Sequence, residues 1–234
     1  MTGPDARKGL FIVLEGPDGA GKSVQARMLA ERLGKRGLAV TYTREPGGTP
    51  LGEQVRHILL DPSDVARGPV ADALLFNAAR SQLVPDVIVP ALERGDIVVL
   101  DRYATSTMAY QGYGSGIDRE VLSTIQRLAT GGLQPDLVVV LDVPVEVGLA
   151  RRGAGQVDEL TRFEDESRHG AAFHQRVREG YHEMAAADPD RWVVLDGSVT
   201  PEEVAEAVGR AVDAVLLQSG DHDAAWEVSG RAGR

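Results

Sequence analysis

Residues 16–23 read Gly-Pro-Asp-Gly-Ala-Gly-Lys-Ser and directly follow the apolar run Leu10-Phe11-Ile12-Val13-Leu14, which stops at Glu15. The spacing G-x-x-x-x-G-K-[ST] requires a buried strand before the loop and a helix after it. Both are legible: the run is short and β-branched, while Val24, Met28, Leu29 and Leu33 recur at helical spacing until Gly34 and Gly37 stop the pattern. In such a loop glycine lets successive backbone N–H groups turn inward onto phosphate oxygens. The helix that opens at Lys22 adds the positive end of its dipole. Lys22 suits the β- and γ-phosphates of a nucleotide, and the Ser23 hydroxyl suits Mg²⁺. Gly16, Pro17, Asp18, Gly19, Ala20, Gly21, Lys22 and Ser23 are therefore expected to bind the phosphates of a nucleotide. Only three lysines occur beside 22 arginines, so Lys22 is not a default surface residue.

Four more strand-like runs follow, at 39–43, 97–100, 137–141 and 192–195. Helical patterns lie between or after them at 51–60, 70–89, 119–129, 173–187 and 201–217, with the second expected to break near Pro85. Continuous apolar strands alternating with helices imply right-handed crossovers and a parallel sheet covered on both faces. The expectation is an α/β chain of three layers, a P-loop NTPase fold with a five-stranded parallel sheet. No repeat and no linker divides it. Residues 1–217 read as a single domain and 218–234 as a disordered tail, its only large apolar side chains being Trp226 and Val228.

Composition excludes several classes. With 25 basic and 35 acidic residues in 234, the net charge of −10 disfavours a nucleic-acid coat. Zero cysteines remove disulfides, thiol nucleophiles and thiolate metal sites. No apolar run reaches the roughly 18 residues that a membrane span needs, and Met1-Thr2-Gly3-Pro4-Asp5 has no export signal core. A cytoplasmic enzyme with no nucleic-acid or membrane partner is expected.

The Asn-Lys-x-Asp base-reading motif of GTPase switches does not occur. Instead Leu100-Asp101-Arg102-Tyr103 closes the third strand, at the edge where doubly wound sheets bind ligands. Asp101 is placed like a magnesium-side carboxylate, and Arg102 like a grip for an anionic acceptor.

With those residues in view, the sequence resembles the thymidylate kinase family. The resemblance rests on the P-loop, on Thr43-Arg44-Glu45-Pro46-Gly47-Gly48-Thr49, on Leu75-Phe76-Asn77-Ala78-Ala79-Arg80, and on Asp101-Arg102-Tyr103 through Ala109-Tyr110-Gln111-Gly112. A weaker block runs from Pro135 to Leu149. The resemblance implies a fold of the nucleoside monophosphate kinase type, ATP and dTMP as substrates, Mg²⁺ as cofactor, and a homodimer. It implies that Phe76 stacks on thymine and Arg80, at i+4, donates to a base carbonyl. Ser106 or Thr107 would read the base edge, and Tyr110 would crowd the 2′ position, with Gln111 closing the pocket. Arg44 and Arg102 would clamp the acceptor phosphate, while Asp18 would take the 3′-hydroxyl and touch the magnesium shell beside Ser23 and Asp101. Some relatives carry an arginine inside the P-loop where this chain has Gly19. The resemblance then assigns the missing charge to a lid at about 150–168, with Arg151, Arg152 and Arg162 as candidates. Catalysis would rest on Lys22, Arg102 and those lid arginines. A related kinase for dUMP or a deoxynucleoside, and a regulatory P-loop ATPase, remain as alternatives.

Overall fold

The computed structural model describes residues 9–60, 66–153 and 166–218, with the side chains of 152–153 and 166–169 excepted. The expected lid residues 154–165, Arg162 among them, and the expected tail from 219 lie outside the described residues, as does the side chain of Arg152. Five parallel strands form one sheet: β1 (Leu10–Glu15), β2 (Val40–Arg44), β3 (Ile97–Asp101), β4 (Leu137–Asp142) and β5 (Trp192–Asp196), in the order β2-β3-β1-β4-β5. The central β1 and β3 are buried at every position, which is why their sequences are apolar without alternation.

Successive β1 side chains serve opposite layers. Leu10, Ile12 and Leu14 pack with Ala26, Leu29 and Leu33 of α1 (Lys22–Lys35) and with Val204, Val208 and Val212 of α9 (Pro201–Gln218). Phe11 and Val13 face Leu83, Ile88, Leu92 and Tyr103 on the other side. Val24, expected on the apolar face of α1, is instead 41% exposed: the stripe runs through Ala26, Leu29 and Leu33, on the opposite side of the helix from it.

The remaining helices are α2 (Pro50–Leu60), α3 (Pro69–Leu83), α4 (Val89–Arg94), α5 (Ala104–Thr107), α6 (Arg119–Thr130), α7 (Val145–Gly153) and α8 (Glu166–Ala187). The expected break near Pro85 does not occur. A π-helical turn, Val84–Ile88, carries the chain past the proline into α4, because its wider hydrogen-bond loop tolerates the missing N–H. A second π-helical segment, Met108–Gly114, continues α5 and went unread in the sequence. Helix α8 is interrupted at Gly170 (φ 58°, ψ 162°), so regular helix covers the expected 173–187. No helix among the described residues is long and apolar enough to cross a membrane.

Candidate functional site

The phosphate loop joins β1 to α1 at the C-terminal edge of the sheet. Gly16 takes φ 137°, and a Cβ there would run into the Leu141 carbonyl of β4. Gly19 takes φ 72°, and a Cβ there would run into the Gly148 carbonyl, so glycine at 19 is what lets α7 lie directly on the loop. No side chain caps α1 and no acid occupies its first turn, which leaves its first amides for an anion.

Lys22 is buried and donates to the Pro17 carbonyl at 2.7 Å. Burial, with repulsion from Arg102, brings its pKa down to about 7. Ser23 Oγ donates to Asp101 Oδ2, across 78 residues of sequence. Asp101 Oδ1 is buried with no hydrogen-bond partner among the described residues. A hydroxyl and a carboxylate side by side, with one oxygen still available, is the oxygen donor set that Mg²⁺ takes alongside phosphates and water. No cluster of three or more His, Cys, Asp or Glu side chains suited to a metal exists among the described residues, so a cation here would rely on ligands beyond this pair.

Arg102 follows Asp101 with a left-handed backbone, φ 68°. Its Nη2 reaches Asp18 Oδ1 at 2.5 Å and the Tyr110 hydroxyl at 3.3 Å, its Nη1 reaches Ser106 Oγ at 3.1 Å, and its guanidinium lies 5.1 Å from the Tyr110 ring centre. Burial pushes the Tyr110 phenol pKa up, so it stays protonated. Arg44, at the end of β2, keeps its side chain half exposed with Glu53 3.6 Å away.

These groups share one cavity of about 550 Å³. Phe76, Arg80, Thr107, Tyr110 and Gln111 line one stretch of it, residues 18–23 with Asp101 and Arg102 another, and Arg151, Gly197, Val199 and Pro201 a third. Phe76 is half-buried, and Gln111 Oε1 is buried with no partner among the described residues. Arg80 is almost wholly buried and held by Glu45 (Nε to Oε2, 2.8 Å), Asn77 Oδ1 (3.0 Å) and Thr107 Oγ1 (3.2 Å). Burial drives the Glu45 carboxyl up to about 7 against the pull of Arg80.

Two of the expected site residues are also held by protein partners. Ser106 also lines the cavity, but its hydroxyl is committed, donating to Glu15 Oε2 at 2.6 Å and accepting from Arg102. It supports Arg102. Arg151, expected beside the transferring phosphate, donates to the carbonyls of Gly197 (2.7 Å) and Ser198 (3.1 Å), tying α7 to the loop after β5. Sequence reading gave no role to Glu15 or Tyr181, nor to Glu45 and Asn77, although the last two stand in the motif strings it singled out. Glu15 left one signal, an acid closing an otherwise apolar strand.

The sequence model of the family described as Thymidylate kinase matches residues 14–208. A protein from Thermomicrobium roseum named thymidylate kinase is 53% identical over 88% of this chain and 95% of its own length. Proteins of the same name from Pseudomonas putida and Trichlorobacter lovleyi are 49% and 46% identical, over 89% and 87% of this chain and 95% and 96% of theirs.

Proposed function

This chain belongs to the thymidylate kinase family, and we propose from that premise how its residues divide the work of phosphorylating dTMP. The enzyme transfers the γ-phosphate of ATP to dTMP, giving dTDP and ADP. A dTMP phosphate oxygen is already ionised at neutral pH, so the protein has no proton to remove. Its tasks are alignment and neutralisation of charge on the transferring group.

The observation that carries the residue assignment is the single cavity in which a phosphate loop, an anion-gripping arginine and a half-buried aromatic ring face common space. Residues 16–23 wrap the ATP phosphates, and Lys22 leaves the Pro17 carbonyl to meet their charge. Arg102, braced by Asp18, grips the acceptor phosphate, with Arg44 at the mouth. Phe76 offers a flat apolar face to thymine. Arg80, oriented by Glu45 and Asn77, keeps one Nη1 hydrogen uncommitted among the described residues for a base carbonyl. Tyr110 stands against the sugar, where a ribose 2′-hydroxyl would crowd it. Ser23 and Asp101, with Asp18 close by, would hold Mg²⁺, which when bound neutralises phosphate charge.

The assembly we propose is a homodimer. Val70 and Leu74 on α3, Leu51 and Ile58 on α2, and Val121 and Leu128 on α6 are each more than 40% exposed. Their helices are neighbours, α2 against α3 and α3 against α6. Apolar side chains stacked one or two turns apart on packed helices suit a second copy of the chain. A kinase of this kind meets its nucleotides in the cytoplasm.

The test is activity of Lys22→Ala with an acceptor panel of dTMP, dUMP and thymidine. The variant, folded by circular dichroism, should fall below about a hundredth of wild-type turnover, because charge neutralisation is lost. Retention of a tenth would overturn the role of the loop lysine. The wild type should use dTMP and leave thymidine, which lacks the phosphate that Arg102 grips.

A further inference from the structure

Glu15 ends β1 and its side chain is wholly buried, with 0% exposure. Five donors converge on its carboxylate. Oε1 accepts from Tyr103 N (2.9 Å), Thr105 Oγ1 and Ser106 N (3.1 Å). Oε2 accepts from Ser106 Oγ (2.6 Å) and from the Tyr181 hydroxyl of α8 (2.9 Å). Two of the five are backbone N–H groups, which can only donate, so the site is shaped for acceptor atoms.

Four of the five donors come from the segment immediately after Arg102. That residue has φ 68°, a left-handed backbone that a long side chain rarely adopts and that persists only where its surroundings hold it. Glu15 holds the next amide along the chain. It also holds the Ser106 hydroxyl, which in turn accepts from Arg102 Nη1. The carboxylate therefore fixes Arg102 twice, once through the main chain and once through its guanidinium.

We propose that Glu15 is a positioning residue for the acceptor: its carboxylate aims Arg102 at the dTMP phosphate and, through Tyr181, fastens that aim to α8. This rests on Arg102 gripping the acceptor phosphate, as argued above. Replacing the carboxylate by a carboxamide keeps the shape but turns an N–H₂ group toward donors, which should release Arg102 without touching the base pocket.

Titration calorimetry with dTMP and with thymidine, on the wild type, Glu15→Gln and Tyr181→Phe, separates positioning from general packing. The wild type should bind dTMP more tightly than thymidine. Glu15→Gln should lose about tenfold or more in dTMP affinity, with thymidine affinity within about twofold. Tyr181→Phe, which keeps the buried ring and removes one donor, should lose about threefold for dTMP alone, and it decides the matter if Glu15→Gln does not fold. If the variants weaken both ligands equally, Glu15 is only structural and the proposal falls. It falls also if both variants retain the full wild-type preference for dTMP. Equal binding of the two ligands by the wild type would overturn the acceptor-phosphate reading itself.

Discussion

Lys22 sits out of water and beside Arg102, and its ammonium therefore gives up its proton near pH 7 instead of above 10. A bound triphosphate favours the charged form and must raise that pKa. Between the free and bound values, ATP binding takes up a proton. The sign follows: ATP affinity falls as pH rises above 7, by up to about tenfold per unit. Calorimetry at pH 8 in two buffers of different ionisation enthalpy should report uptake approaching about one proton per ATP. Uptake near zero would mean that Lys22 is already fully charged in the free enzyme. Arg102→Ala should raise the dTMP KM and lower kcat, since a charge-assisted phosphate contact is worth about 1.5–3 kcal/mol, or roughly 10- to 150-fold in kcat/KM. Steady-state kinetics check this, and an unchanged dTMP KM would leave Arg102 as a partner of Asp18 only. Lys22, Arg102, Phe76 and Tyr110 were legible because each sits in a local string of residues that carries its own meaning. Glu15 was not, because its donors lie 88 to 166 residues further along the chain.

At the scale of elements, β1, β3 and β4 are readable as continuous apolar runs because strands buried on both faces leave no polar side to blur the pattern, while the partly exposed edge strands β2 and β5 are readable from their β-branched and aromatic residues. The π-helical segments 84–88 and 108–114 were not readable. Proline signals a break locally, while the decision to continue comes from Leu83, Ile88 and Leu92 packing on β1 and β3. The contact between Gly19 and Gly148 is likewise visible only in three dimensions, and it brings Arg151 of α7 against the loop after β5. Because Arg151 braces the stretch of cavity lined by Gly197 and Val199, Arg151→Ala should raise the ATP KM by about 3- to 10-fold, a typical cost for losing charged hydrogen bonds at a partly exposed site, and leave the dTMP KM unchanged. Initial-rate kinetics with each substrate varied decide it. A loss of about 10²-fold in kcat at constant ATP KM would return Arg151 to the transferring phosphate.

At the scale of the whole molecule, we propose, two nucleotides meet at the C-terminal edge of one sheet and a second copy lies against α2, α3 and α6. Leu74→Glu combined with Leu128→Glu puts charge on side chains that are 52% and 87% exposed, so folding should survive while association does not. Light scattering should show twice the chain mass for the wild type and the single-chain mass for the double variant; a monomeric wild type would remove the dimer. The central claim is that ATP and an acceptor phosphate meet in one cavity, and the most direct measurement is ADP release from ATP with and without dTMP. The account predicts rapid release with dTMP and near silence without it, since the attacking oxygen belongs to dTMP. Release at equal rates in both conditions would contradict it and describe an ATPase.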